Sequence, residues 1–384
     1  MALNSPRVSR ALSAFDHISH RWAAMPMRDP NRAPTTQTRR PPPSHPVTAP
    51  VVSRPSLLDD VSLRRAAGMS LRDPNAPATT QRPSSPSSDD SESCPLPGNA
   101  PVVARQSLSL VTWNINAGGW RHVERAERIL SHILEGPKCP DILLLQEVVS
   151  PVREFLLGDA RIRSQFLTTD AEDETAFKGV PFATMTLLSN KHFGSSLLAE
   201  KKDRRDDSRG DSEGGPIKME IDSVFRMDLP SRYKRDALCV NICHPTAPGA
   251  ILRLINVHMD SLNSQFRRAL QMVTMASLLR EPGCKGGIIA GDFNANHPDD
   301  HTLVDRYRLV DAWVALHGST KGPEGATWGV GVELPWGRGH KPSRLDKVVM
   351  LGLQPNEIEV LKPGYINAST PWSDHCGLHC TFTI

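Results

Sequence analysis

The chain has 384 residues, 39% of them hydrophobic, and its 45 Lys and Arg against 42 Asp and Glu give a formal net charge of +3. The apolar content suffices for a sizeable core in one large or two ordinary domains, while the lack of any run of about 18 apolar residues argues against a membrane-spanning helix. Residues 1–100 hold 12 Arg, no Lys and 8 acidic residues, which leaves 33 basic and 34 acidic residues beyond them; such a near-neutral remainder disfavours a broad phosphate-neutralising surface and favours a local site or a short nucleic-acid end.

Residues 1–106 read as a disordered tail. About half of the 33 prolines lie in the first 100 residues, with clusters such as Arg39-Arg40-Pro41-Pro42-Pro43 and Ser84-Ser85-Pro86-Ser87-Ser88. A segment of this kind buries too little apolar surface to offset its ordering entropy. A short module is copied within it at an offset of about 44 residues: Arg28-Asp29-Pro30-Asn31 with Thr35-Thr36-Gln37 returns as Arg72-Asp73-Pro74-Asn75 with Thr79-Thr80-Gln81, and Ser9-Arg10, Asp16 and Met25 match Ser53-Arg54, Asp60 and Met69. Two copies are too few for a solenoid. Two readings fit: a doubled linear motif that docks a protein partner and gains from avidity, or drifting low-complexity duplication. The first 28 residues contain several arginines and Asp16 as their one acid, which leaves a mitochondrial presequence open. Without a signal peptide or a disulfide framework, the expected compartment is nucleus or cytoplasm.

From residue 107 the chain alternates apolar strand-like runs with helical stretches. Val123, Ala126, Ile129, Leu130, Ile133 and Leu134 give the apolar spacing of a helix joining strands at 108–115 and 141–146 as a β-α-β unit. Further strands are expected near 182–189, 236–243, 250–258, 286–291, 346–352 and 376–383, with a helix over roughly 262–280. The charged stretch between 200 and 216 reads as a solvated loop. The seven cysteines lack paired metal-ligand spacing and read mostly as buried reduced thiols.

The chemistry-bearing residues sit where apolar runs end. Gly291-Asp292-Phe293-Asn294 closes the run Gly287–Ala290, and since residues two apart on an extended chain share a face, Asp292 and Asn294 are expected to point at one ligand. Asn114, Glu147, His258 and the pair Asp374-His375 lie at the ends of other such runs. Together they read as one site, with no G-x-S-x-G, Walker A or H-E-x-x-H motif competing. An unpaired carboxylate at Glu147 would be costly in a buried-type strand, and a cation resolves that cost. Oxygen ligands with retained waters suit Mg²⁺, with Mn²⁺ able to stand in, and Asp374 is aimed towards the metal. Asn114 and Asn294 are expected to position phosphate or water, while Asp292 and His375 divide proton transfer and charge stabilisation during attack of water on a phosphodiester. Asp346 would fix and charge His375. Trp328 and Trp336 could stack on a base or on a tyrosine ring, or anchor their loop.

Thr112-Trp113-Asn114-Ile115, Leu145-Gln146-Glu147-Val148, Val257-His258-Met259-Asp260-Ser261, Gly291-Asp292-Phe293-Asn294, Arg344-Leu345-Asp346 and Ser373-Asp374-His375-Cys376-Gly377-Leu378 occur in the order of the endonuclease/exonuclease/phosphatase superfamily. Over about residues 107–384 the chain resembles its tyrosyl-DNA phosphodiesterase 2 branch. That resemblance implies a two-sheet α/β sandwich with the site at one edge and Mg²⁺-dependent hydrolysis without a covalent intermediate. It further implies metal on Glu147, His258 and Ser261 towards the substrate, and a 5′-phosphotyrosyl DNA end as that substrate. Three positions depart from the branch: Asn116 stands where an acid is usual, Asn263 replaces a nucleic-acid-contacting arginine, and Asn296 follows the GDxN motif where a base is expected. A nuclease, an RNA-end or phosphoinositide-type hydrolase, or a catalytically silent partner-binding protein are the other readings on the same scaffold.

Overall fold

The computed structural model describes residues 6–31, 106–195, 218–318, 322–332 and 341–384. Every described residue belongs to one compact unit. Its strands in chain order are β1 (Arg7–Ser9), β2 (Leu12–Asp16), β3 (Arg21–Ala24), β4 (Ser107–Asn114), β5 (Ile142–Val148), β6 (Phe166–Thr169), β7 (Ala183–Ser189), β8 (Phe193–Gly194) and β9 (Met219–Asp228). They continue as β10 (Asp236–Cys243), β11 (Ile251–His258), β12 (Cys284–Asp292), β13 (Val310–Asp311), β14 (Asp346–Leu351), β15 (Gln354–Leu361), β16 (Tyr365–Asn367), β17 (Thr370–Pro371) and β18 (Gly377–Thr383).

Two sheets result. One has the order β1-β9-β10-β11-β12-β14-β13, with β8 also on β9; the other runs β15-β18-β4-β5-β7-β6-β2-β3. Strand alternation explains how they pack. Leu108 and Leu110 of β4 face a central cluster shared with Leu254, Ile288 and Met350 of the other sheet. Val111 and Trp113, between and beyond them, face outward onto the helix His122–Leu134. In the same way Ile288 and Ala290 turn inward while Ile289 meets the helix Gln265–Leu278. Strands covered on both faces read as continuous apolar runs, and truncating one such Leu or Ile to Ala costs about 2–5 kcal/mol. Between the sheets, Gln146 Nε2 donates to Asn256 Oδ1 at 2.9 Å, and Asn256 Nδ2 donates to Met185 O at 3.0 Å. This buried amide bridge fixes the register of one sheet against the other.

The topology sets the position of the site. β4 and β5 are parallel, with Asn114 opposite Gln146, and β11 and β12 are parallel, with His258 opposite Asp292. β14 runs antiparallel to β12 and begins at Asp346, opposite Asp292. The carboxyl ends of four strands and the amino end of a fifth therefore meet at one end of the sandwich. Gly291 is required there: its φ is +141°, and a Cβ on it would lie 1.9 Å from Val257 O, so only glycine lets β12 close against β11 just before Asp292.

Two expectations need correction. Residues 6–31 are not a disordered tail: β1 pairs with β9, β2 pairs with β6, and Leu12 and Met25 are buried in the central cluster. Sparse apolar residues were read as too few for a core, but here they complete a core that the rest of the chain supplies. β9, β6 and β15 also went unrecognised. In β9 the buried Arg226 interrupts the apolar pattern, and its charge is met by Asp170 at 2.8 Å and Asp236 at 2.9 Å. The rest of the expected tail, the second copy of the module, and the charged stretch 201–216 lie outside the described residues. Among the described cysteines none is disulfide-bonded, and Cys239, Cys376 and Cys380 are buried as expected.

Candidate active site

Asp292 is the centre of the site. It is 1% exposed, its Oδ2 accepts from Asn114 Nδ2 at 3.0 Å, and its Oδ1 accepts from the Asn294 backbone N–H at 2.8 Å. Two imidazoles face the same Oδ2, His258 Nε2 at 3.4 Å and His375 Nε2 at 3.8 Å. Burial, opposed by His375 and reinforced by Asp346, pushes the Asp292 carboxyl up to about 6.

Asn114 binds both acids of the site, since its Nδ2 also donates to Glu147 Oε1 at 3.2 Å. Glu147 Oε2 accepts from the Ala117 N–H at 2.5 Å. Glu147 adopts a left-handed backbone with φ 58°, which turns its side chain out of the ladder of β5 and towards Asn114. Burial holds its carboxyl above the usual range, against the Ala117 N–H, His375 and Asn114.

His375 Nδ1 lies 2.8 Å from Asp346 Oδ2. Burial works against the imidazolium, but Asp346 and Asp292 outweigh it and hold the ring well above its ordinary value. The ring is fixed through its backbone. Ser373 Oγ donates to Asn114 O at 2.7 Å and accepts from the His375 N–H at 3.0 Å, and Trp113 Nε1 donates to His375 O at 3.1 Å. Thr327 serves the same end, its Oγ1 accepting from the amides of Leu345 at 3.0 Å and Asp346 at 2.9 Å.

His258 is the opposite case. Arg235 Nη2 lies 3.3 Å from its Nε2, and the ring stacks on Phe182 with centroids 5.5 Å apart. Burial, then Arg235 and His375, hold it well below its ordinary value, so it is neutral. Arg235 lies over the Phe182 ring, 4.8 Å from its centroid. The loop that presents Arg235 is tied down by Asp260, which accepts from Ser231 Oγ and from the Arg232 N–H, the latter at 2.8 Å.

The expected residues are thus mostly brought together, with differences in detail. Asn294 does not share an extended face with Asp292. Its φ is 47°, and its Nδ2 donates to Met259 O at 3.0 Å while its backbone N–H holds Asp292. Asp374 is turned to Trp328, whose Nε1 donates to Asp374 Oδ2 at 3.0 Å. Trp328 is half-buried and bridges to Ser343 and His375 through its backbone. Ser261 is half-buried, the departing Asn263 is exposed, and Trp336 lies outside the described residues. Asn116 Oδ1 accepts from the Gly118 N–H at 2.7 Å, and Asn296 Oδ1 accepts from Arg268 at 2.8 Å. Arg235, Asp260 and Thr327 were not singled out as site residues. Asp260 and Thr327 stand inside recognised motifs, whereas nothing around Arg235 marks it.

Two parts of the site offer donors to a divalent ion. Ligand atoms of Asp292, Asp346 and His375 lie within 4.8 Å of one another. That set is better suited to proton and charge transfer, because a His375 ring bonded to Asp346 and held protonated offers no lone pair. Glu147 fits a hard cation better: it is an oxygen donor held on the Asn114 amide, and burial favours its uncharged form, a penalty that a bound cation reverses.

A family model described as the Endonuclease/Exonuclease/phosphatase family matches residues 111–375. No curated protein matches. Among solved structures, D. rerio TDP2 complexed with single-strand DNA product is similar at 18% identity and a TM-score of 0.54, over 72% of this chain and 99% of that one. A truncated Caenorhabditis elegans TDP2 is similar at 18% identity and a TM-score of 0.52, over 72% and 98%. At these identities the likeness shows the fold, the α/β sandwich expected for residues 107–384.

Proposed function

The chain belongs to the endonuclease/exonuclease/phosphatase family, and from that premise we propose that it is a Mg²⁺-dependent phosphodiesterase that releases tyrosyl adducts from DNA 5′ ends. The observation that carries the hydrolase reading is the arrangement around Asp292, a buried carboxylate held by two asparagines and faced by two buried histidines, one backed by Asp346 and the other by Arg235. Glu147 would hold the ion, which supplies Lewis acidity to the phosphate oxygens when bound. Asp292, with its affinity for a proton raised, takes the proton of the attacking water. His375, kept charged by Asp346, meets the negative charge that develops on the phosphoryl oxygens. Arg235, held over Phe182, adds a second cation on the opposite side.

The adduct reading rests on the sequence motifs and on a fold shared with TDP2, one structure of which is a complex with single-strand DNA product. Trp120 and Phe266 are 60% and 76% exposed on segments leaving the site, and exposed aromatic rings there offer faces on which unpaired bases can stack. Beside them a cleft of about 300 Å³ is lined by Arg232, Asn263, Phe266 and Arg267, which suits a short phosphate backbone. A phenolate leaving group with a pKa of about 10 needs little protonation, so the site's resources go to the nucleophile and the phosphate. The test is a panel of 5′-phosphotyrosyl, 3′-phosphotyrosyl and unmodified oligonucleotides, RNA ends and phosphoinositides with Mg²⁺ and with chelator. Release of a 5′-phosphate end from the first substrate, abolished by chelator, supports the reading; hydrolysis of another member alone rejects the adduct, and hydrolysis of none rejects the enzyme.

A further inference from the structure

The N-terminal segment closes both open edges on one side of the sandwich. β1 adds to β9 at the edge of one sheet, and β2 and β3 add to β6 at the edge of the other. Between and after these strands the segment is held by specific contacts. Arg10 Nη1 pairs with Asp173 at 2.8 Å, and its amide donates to Val224 O at 2.9 Å. Met25 enters the central core, and Arg28 donates from its amide to Asp222 O at 2.8 Å and from its guanidinium to the Asp222 carboxylate at 3.3 Å. Asp29 and Asn31 close a turn in which the Asn31 N–H donates to Asp29 Oδ1 at 2.9 Å. Pro30 is buried.

These are the positions kept in the second copy of the module. At an offset of 44, Arg10, Met25 and Arg28-Asp29-Pro30-Asn31 correspond to Arg54, Met69 and Arg72-Asp73-Pro74-Asn75, and Pro6, Val8 and Ser9 correspond to Pro50, Val52 and Ser53. The exposed Asp16, Arg21 and Ala23 are kept as well, as Asp60, Arg65 and Ala67. The changed positions are also informative: Arg7, Leu12 and Trp22 become Val51, Ser56 and Ala66. In the first copy Arg7 pairs with Glu281, Leu12 is 0% exposed, and Trp22 Nε1 donates to Leu157 O at 3.0 Å. The second copy therefore keeps the docking signature at both ends and lacks the central anchors.

We propose that the double sheet edge is a docking site for the repeated module, and that residues 50–75 are its alternative occupant, exchanging in the same chain with the resident residues 6–31. Chain length permits the exchange. The two ends of the seated copy are neighbours, Asn31 Nδ2 lying 3.5 Å from Arg7 O, so the second copy enters where the first does. Residues 76–105 then have to return to β4; those thirty residues reach about 100 Å extended, against a domain diameter of about 50 Å. Tethering makes the second copy a competitor at about millimolar effective concentration, and strand addition supplies main-chain hydrogen bonds to either copy. Loss of the central anchors makes it the weaker occupant, so the first copy is resident unless it is drawn away. Exchange frees residues 6–31 with their apolar side chains.

Disulfide trapping in the full chain tests this. Asp222→Cys is combined with Arg28→Cys, Arg72→Cys or Ser87→Cys, each with Cys243→Ser to remove the thiol beside Asp222, and cross-links are quantified by peptide mass spectrometry after mild oxidation. The Arg72→Cys pair is expected to cross-link within one chain at least fivefold more than the Ser87→Cys control. It is expected to rise severalfold further when Arg7→Glu loosens the first copy, which leaves Glu281 paired with Arg253. Thermal melting of the Arg7→Glu chain verifies that the domain stays folded. Cross-linking no greater than the control in both backgrounds, or found solely between two chains, overturns the proposal.

Discussion

The two sides of the site use the same residue type to opposite ends. His375 and His258 are both buried and both face Asp292 Oδ2. His375 has a carboxylate behind it, Asp346 at 2.8 Å, and is held charged; His258 has a guanidinium, Arg235 at 3.3 Å, and is held neutral. Burial penalises the charged ring equally in kind on both sides, so the partner decides the protonation state. One side thus offers a fixed positive charge through a ring, and the other offers it through Arg235 with the ring as a neutral spacer. Asp292, between them, is left as the group that exchanges a proton near neutrality.

The largest effect is expected from removing what both sides share. Asp292→Asn keeps the shape that Asn114 and Asn294 grip, and is expected to lower kcat by about 10²–10⁴-fold with an unchanged melting temperature. Loss below about tenfold would assign the proton to another group. Asp346→Asn breaks the charged side selectively. His375, its pKa raised in the fold, favours the folded state fully below its unfolded value of about 6.5, and that contribution is lost as pH rises through the folded value. Without Asp346 the folded value falls, so the alkaline limb of the kcat profile is expected to move to lower pH, measured under saturating substrate. Asp292, raised to about 6, sets the acid limb, which is expected to remain.

Arg235→Gln sharpens the other side: loss of one charge-assisted phosphate contact is expected to raise KM roughly tenfold, with a smaller change in kcat and no shift of the alkaline limb. A shifted limb would mean that the two sides titrate as one. The smallest effect is expected from Trp328→Phe, which deletes the bond to Asp374 and leaves the ring. Melting is expected to fall by about 2–4 °C with turnover within about threefold, whereas a loss comparable to that of Asp292→Asn would make Trp328 a substrate contact.

Much of this site was legible because strand ends in this fold are apolar runs that stop abruptly at a polar residue: Asn114, Glu147, His258 and Asp292 each follow such a run. The strands themselves were legible where both faces are covered, as in β10 and β11. What escaped notice depends on partners distant in sequence. Arg235 becomes a site residue through a loop tied to Asp260, and β9 is a strand in which a buried arginine is neutralised by Asp170 and Asp236. Asp374 is held by Trp328, a contact across 46 residues that no local pattern announces. Residues 6–31 look unfit to fold by composition because their few apolar side chains have nothing nearby to pack on; the strands that receive them, β6 and β9, begin far along the chain at Phe166 and Met219.

The charge assignment around Asp292 can be read directly by ¹⁵N–¹H NMR of the imidazole rings in uniformly labelled protein at pH 7, with His375→Gln and His258→Gln variants to identify the signals. The expected result is a His375 ring protonated on both nitrogens and a His258 ring that is neutral with one. A neutral His375, or a charged His258, would contradict the division of the site into a charged and an uncharged side.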